Sequence, residues 1–205
     1  MLIYQKIPIW LKWLFPNLIW EKSDKNSDKV VYLTFDDGPT PEITNWVLDE
    51  LNKHMYKATF FCVGENAVKY PEIIDLIKLN QHSIGNHTMN HIKGWNYPTD
   101  KYIENIEECN KVIESKLFRP PYGRISKKQI KALSSNYNII MWSLLSCDFI
   151  KNLNTKKALT GLIKNTKNGS IIVFHDSLKC NKNLRIILPE YLNYLSQNGY
   201  HCLAL

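Results

Sequence analysis

Two adjacent carboxylates, Asp36 and Asp37, close an apolar run in "VYLTFDDGPTPEI". Side chains alternate faces along a strand, so at a strand end the pair would point in different directions. Asp-Gly-Pro also makes a good turn by itself, but comparable polar groups recur after other apolar runs. His87 and His91 lie in "IGNHTMNH", Arg119 and Tyr122 in "LFRPPYG", Asp148 in "WSLLSCDF" and His175 in "IIVFHDS". A helical course through the histidine pair would set both imidazoles on one face, because i and i+4 are neighbours. Two histidines with one carboxylate make a facial triad with open positions, which suits Zn²⁺, Co²⁺ or Fe²⁺ better than Mg²⁺. One member of the Asp36/Asp37 pair would complete that triad. The other would be the general base for a water that the cation acidifies. His175 would protonate the leaving group, and Arg119 would keep the base ionised and oriented. The tight Pro-Pro-Tyr-Gly loop would aim a backbone N–H at a developing oxyanion. Together this is equipment for metal-assisted hydrolysis of an amide or ester.

Alternating strand and helix patterns must carry these residues. Val31–Phe35 reads as a strand, followed by a helix from Glu42 to Lys53 with Pro41 placed at its start. "KATFFCVG" reads as a buried strand, Asn66–Leu79 as a helical stretch interrupted at Pro71, and His82–Gly85 as a short strand. Helical spacing runs through "TDKYIENIEECNKVIESKL", and Ser126 with Gln129 predicts a capping box. "NIIMWSL" reads as one strand, "TKKALTGLIKNTK" as a helix and "SIIVF" as a strand. A helix over Leu184–Gln197 contains Pro189, and "YHCLAL" is a last strand. Strands separated by helices predict an α/β fold with a parallel sheet, open or closed as a barrel. In such folds functional loops gather at the C-terminal strand ends, which is where all the polar groups above fall. The other notable residues have plainer readings. His54, His82 and His201 are expected at the surface or an edge, Trp142 as core on its strand, and Cys147 as a packing residue. Asp176 would cap the loop after His175, and Trp95 could stack on a sugar.

Composition limits the alternatives. A chain of 205 residues with 44% hydrophobic and 22% charged content is an ordinary soluble globular domain. The formal charge of +7 is spread along the chain with no basic block or nucleic-acid-reading motif, which argues against nucleic acid as a partner. Five cysteines, odd in number and without C-x-x-C spacing, argue against a disulfide framework and a cysteine zinc site, and fit a reducing compartment. Residues 1–29 form an apolar and aromatic segment interrupted by Lys6, Pro8, Lys12 and Pro16. It reads as neither signal peptide nor spanning helix. It is expected to pack on the domain of residues 30–205 or to rest on a membrane surface. A cytoplasmic location, with peripheral membrane contact through this segment, is the corresponding expectation.

Four motifs, "TFDDGP", "HTMNH", "RPPYG" and "FHDS", occur in the order and rough spacing of the polysaccharide deacetylases, the fourth carbohydrate esterase family or NodB-homology domain. The resemblance covers the chain from about Val31 to the C-terminus. It implies a distorted (β/α) barrel of about seven parallel strands in a single domain. It also implies metal-dependent removal of acetyl groups from a carbohydrate, N-acetyl more than O-acetyl, with Zn²⁺ the leading cofactor. By motif position Asp36 resembles the family's catalytic base, and Asp37 its metal ligand together with His87 and His91. Arg119 matches the arginine that supports the base, Tyr122 the residue whose backbone N–H assists the oxyanion, and His175 the catalytic acid. Val173 falls where a leucine usually lines the acetyl-methyl pocket. One motif departs: an Asp-x-x-Asp-Trp pattern is expected after the fifth strand, where this chain has Leu145, Asp148 and Phe149. The missing carboxylate at Leu145 should leave His175 easier to deprotonate, with Asp148 taking over part of the role; Asp148 and Phe149 are also expected in the substrate pocket, which Phe149 alters. The same machinery acting on a non-carbohydrate amide or cyclic imide is the nearest rival reading. A non-catalytic glycan-binding relative is the next.

Overall fold

The computed structural model describes residues 5–22 and 29–205. A short helix α1 (Ile9–Leu14) precedes β1 (Val30–Asp36), α2 (Ile43–Lys53), β2 (Ala58–Cys62), α3 (Gly64–Lys69), α4 (Pro71–Leu79) and β3 (Ser83–Asn86). Then come α5 (Thr99–Ile113), β4 (Leu117–Phe118), α6 (Lys127–Leu133), β5 (Asn138–Ile139) and β6 (Leu144–Leu145). The chain closes with α7 (Thr155–Asn165), β7 (Ile171–His175), α8 (Asn181–Gln197) and β8 (His201–Cys202). Seven parallel strands in the order β5-β4-β3-β2-β1-β7-β6 form a half-barrel, with β8 pairing the start of β1.

The alternation along β1 explains how one strand serves both a core and a site. Val31, Leu33 and Phe35 pack outward against Val47 and Leu51 of α2 and Leu188 and Leu192 of α8. Tyr32, Thr34 and Asp36 therefore share the inner face. Near the start of the strand Tyr32 joins Phe61, Ile140 and Ile171 in an apolar cluster. Above it Thr34 and Asp36 are buried polar groups, so the inner face becomes polar toward the C-terminal strand ends. β7 repeats the pattern, with Ile172 and Phe174 in the outer core and Val173 and His175 on the other face.

The first and last strands of the path, β5 and β6, do not pair with each other. The N-terminal segment is laid between them: Ile19 bridges Ile140, and Lys6 bridges Leu144. Ile7 N–H donates to Ser143 O at 3.0 Å and Leu145 N–H to Gln5 O at 2.8 Å. Leu18 and Trp20 are buried, and Ile7, Leu11 and Phe15 pack against the cluster that contains Phe118 and Ile139. Residues 23–28, part of the polar stretch after this segment, lie outside the described residues.

Several local expectations change. "NIIMWSL" is not one strand but β5 and β6 with a break between. The reason is Arg119, whose Nε donates to Ile140 O (3.2 Å) and Nη2 to Met141 O (3.0 Å), taking carbonyls that a continuous strand would offer a neighbour. Trp142 lies in that break, partly buried, rather than on a strand. α8 begins at Asn181 and runs on through Pro189. The capping box forms as expected, Gln129 N–H donating to Ser126 Oγ and Ser126 N–H to Gln129 Oε1. All five thiols are buried and free. His82 is buried, not superficial: its Nδ1 accepts the Ala58 N–H at 3.2 Å, and burial with nearby Lys57 depresses it to about 4. No helix among the described residues is long and apolar enough to cross a membrane.

Candidate active site

The site sits where β1, β3, β4 and β7 end. Parallel register sets Asp36 level with His175 on β7 and with Phe61 on β2. The chain then turns sharply, with Asp37 at φ 80. Such a backbone is disfavoured for a residue with a Cβ, and its surroundings over-determine it. Asn66 Nδ2 donates to Asp37 O (2.9 Å), Asp176 Oδ1 accepts the Gly38 N–H (3.1 Å), and Val63 N–H donates to Gly38 O (2.9 Å). A Cβ at Gly38 would lie 2.1 Å from Asp176 Oδ2, so only glycine lets the turn approach that carboxylate. The two aspartates consequently diverge. Asp36 is buried and its Oδ1 takes a hydrogen bond from Arg119 Nη1 at 2.7 Å. Asp37 is half-exposed, with Oδ1 3.1 Å from His91 Nε2 and 3.7 Å from His87 Nε2.

His87 and His91 meet Asp37 through a loop and not by sharing a helical face. The loop is reversed at Thr88 and His91, both at positive φ, and Asn86 holds the first reversal by accepting the Thr88 N–H at 2.9 Å. Asn86 in turn donates to Ile106 O on α5, and Asn105 of the same helix accepts the Met89 N–H. His87 Nδ1 lies 2.8 Å from Arg119 O, so this nitrogen carries the proton and Nε2 keeps a free lone pair facing Asp37. His91 is turned likewise, its Nδ1 3.2 Å from the Tyr122 hydroxyl. Burial pushes His87 down to about 4, which keeps it neutral and able to ligate. Burial opposes the charge on Asp37, but the His91 hydrogen bond and the neighbouring histidines hold its carboxyl well below the usual range. The three donor atoms lie within 4.8 Å of one another. One carboxylate and two imidazoles, with the His87 tautomer fixed from behind by a carbonyl, fit a single divalent cation.

Arg119 is fully buried beneath the site and spends its donors on Asp36, Thr34 Oγ1 and the two carbonyls of the strand break. Its guanidinium lies 4.1 Å from the Phe61 ring centre, which desolvates the ion pair with Asp36. His175 is anchored twice to one carboxylate: Asp148 Oδ2 accepts its backbone N–H (2.8 Å), and Oδ1 lies 2.7 Å from Nδ1. Burial alone would suppress the imidazolium, yet Asp148 and the more distant aspartates push His175 up to about 9. A carboxylate thus stands beside the imidazole although Leu145 supplies none. Asp148 itself is wholly buried behind the histidine and not in the substrate pocket. Phe149 presents its ring edge-on to His175 at 5.4 Å, and Val173 is buried one step below it on the strand. Tyr122 is exposed at φ 60, and its backbone N–H is not used in the hydrogen bonds of the Pro121–Gly123 turn.

Three residues were not singled out from the sequence, or not for what they do. Thr34 and Asn86 are buried polar side chains that orient Arg119 and the histidine loop. Asp176 does more than cap a loop: its two oxygens hold the Gly38 N–H and the Thr44 hydroxyl (2.6 Å), and burial raises it to about 7. Its adjacency to His175 was the only available signal. Trp95 is exposed but occupied, donating to Ile125 O and covered by Arg124 at 4.4 Å.

The family model described as polysaccharide deacetylase matches residues 23–138. A peptidoglycan-N-acetylglucosamine deacetylase of Bacillus cereus is 33% identical over 183 residues, covering 85% of this chain and 85% of its own length. Another protein of that name from the same organism is 38% identical over 154 residues, covering 72% of this chain. The match covers only 56% of that relative, so the chain spans little more than half its length. A solved peptidoglycan N-acetylglucosamine deacetylase, in complex with 4-naphthalen-1-yl-N-oxidanyl-benzamide, superposes with TM-score 0.87 and 30% identity. That superposition covers 97% of this chain and 95% of the other. With the sequence motifs gathered at one end of the same half-barrel, the chain belongs to the polysaccharide deacetylase family.

Proposed function

We propose that this chain hydrolyses the acetamido group of N-acetylated sugars in a glycan, releasing acetate and leaving a free amine. The N-acetylglucosamine units of a peptidoglycan-type polymer are the substrate that the relatives' names favour. The observation that carries the reading is the divergence of the two adjacent carboxylates, Asp36 against Arg119 and Asp37 against His87 and His91. Asp37, His87 and His91 would hold one divalent cation, with Zn²⁺ the best match to the donor set and Co²⁺ or Fe²⁺ the alternatives. When bound, such a cation supplies Lewis acidity to the acetyl carbonyl and to water.

Asp36 then accepts the proton of the water that attacks the acetyl carbon, and the Arg119 hydrogen bond aims Asp36. The Tyr122 N–H hydrogen-bonds the oxygen that gains charge. His175, with Nδ1 committed to Asp148, gives its Nε2 proton to the departing nitrogen as the C–N bond breaks. Val173 and Phe149 border the space beside His175 that the acetyl group would enter. Zn²⁺-loaded protein should release acetate from N-acetylglucosamine oligomers and from purified peptidoglycan, and Asp36→Asn should abolish that release. Ring opening of a cyclic imide without acetate release from any glycan would overturn the assignment. So would saturable glycan binding with no turnover.

A further inference from the structure

Helix α1 is apolar on both sides. Leu11, with Phe15 just past the helix end, packs inward on the Phe118–Ile139 cluster. Ile9, Trp10, Trp13 and Leu14 occupy the opposite face and are 65%, 60%, 75% and 53% exposed. Four large apolar side chains, adjacent at i, i+1, i+4 and i+5, form a patch rather than scattered exposure. The segment cannot shed this patch by moving, because Gln5, Ile7, Leu18, Ile19 and Trp20 fix it in the seam between β5 and β6.

What covers the patch is indicated by its chemistry and by the charge beside it. Two exposed indoles with two aliphatic side chains match the headgroup level of a bilayer, where an amphipathic ring is wetted at one edge and apolar at the other. Four residues before the helix, Gln5 lines an open cleft of about 430 Å³ against α7, and its side-chain amide donates to Ala158 O at 2.6 Å. Lys156, Lys157 and Lys164 of α7 line the same cleft. All three are exposed, and none has an acidic partner among the described residues. Lys6, also exposed, stands between the cleft and α1 in the chain. A protein partner would ask for apolar or acidic complementarity of unknown shape, whereas an anionic bilayer matches both the indole face and the lysines of the cleft that Gln5 lines.

We propose that α1 and the lysine-lined cleft of α7 dock this chain onto an anionic lipid surface, with Trp10 and Trp13 at headgroup depth. The inference does not rest on the deacetylase reading, since it concerns lipid binding and not turnover.

The test is co-sedimentation of the whole chain with vesicles of phosphatidylcholine alone and of phosphatidylcholine with phosphatidylglycerol, followed by quenching of tryptophan fluorescence with brominated lipids. Wild type should bind the anionic vesicles, weaken with salt, and be quenched by bromines near the headgroup. Trp10→Ser with Trp13→Ser should lower the partition coefficient at least about tenfold. Lys156→Gln, Lys157→Gln and Lys164→Gln should each lower it about fivefold on anionic vesicles and leave zwitterionic vesicles unchanged. These positions are exposed, so far-UV circular dichroism should stay that of wild type. Equal binding by wild type and the double tryptophan variant would overturn the proposal. A wild-type dimer that the tryptophan changes convert to monomer, without vesicle binding, would overturn it in favour of a second copy as the occupant.

Discussion

Replacing Asp148 by Asn tests the route by which this chain keeps its acid protonated. The substitution preserves shape and keeps one acceptor for the His175 N–H, and replaces the charged oxygen 2.7 Å from Nδ1 with an amide NH₂ that cannot accept from it. In the native chain His175 stands at about 9 although burial works against its charge. Without Asp148 burial dominates, and the imidazole falls at least to its ordinary 6.5. At pH 8 the protonated fraction then drops from about nine-tenths to about one-thirtieth, so a step that needs the acid slows about 30-fold. At pH 6 an imidazole at 6.5 is still mostly protonated and the two enzymes differ by less than about twofold from this cause, and every further fall in the variant widens that gap. The assay is kcat/KM for acetate release between pH 5.5 and 10. The alkaline limb should move from near 9 to 6.5 or below. A loss that is flat with pH, or an alkaline limb that stays in place, would refute the assignment of the acid to His175 and of its support to Asp148. The sign for stability follows the same way. A His raised in the folded state stabilises fully below pH 6.5, and that contribution fades as pH rises through about 9.

Arg119→Met should unfold or cost about 3–5 kcal/mol in denaturant titration, because it strands a buried carboxylate at Asp36 and leaves Thr34, Ile140 O and Met141 O without their donor; a cost below about 1 kcal/mol would contradict the placement of that ion pair. Gly38→Ala forces a Cβ to within 2.1 Å of Asp176 Oδ2. It should destabilise by about 1–3 kcal/mol and weaken Zn²⁺ binding in a calorimetric titration, since the shifted turn carries Asp37. His82→Asn keeps an acceptor for the Ala58 N–H but removes a group that is neutral at about 4 when folded and titrates at 6.5 when unfolded. Native stability should fall as pH drops from 6.5 to 4, by at most about 3 kcal/mol from this group, and the variant's acid-unfolding curve should be flatter over that window.

How far the sequence carried the reading depends on range. Asp36, Asp37, Arg119 and His175 were legible because each follows an apolar run, and parallel register lines those runs up at one end. The chemistry of His87 and His91 was legible from residue type, but the loop that brings them together was not. Spacing cannot see that Asn86, two residues before Thr88, captures its N–H and reverses the chain. The break in "NIIMWSL" was invisible for a similar reason, because the group that takes its carbonyls, Arg119, lies 21 residues earlier. Asp148 was misplaced because its role depends on which face of a loop meets β7. His82 reads as a polar edge residue until Ala58, 24 residues away, is seen to donate to it. Local pattern specifies elements; long-range hydrogen bonds specify which way their polar side chains turn.

The catalytic reading depends on the division of labour between Asp36 and Asp37. Calorimetric titration of Zn²⁺ into the wild type, Asp36→Asn and Asp37→Asn chains, with acetate release measured on the same samples, tests it most directly. Asp36→Asn should bind Zn²⁺ with near-native affinity and release no acetate, while Asp37→Asn should lose Zn²⁺ affinity at least about tenfold. Equal loss of Zn²⁺ affinity in both variants, or full turnover by Asp36→Asn, would contradict it.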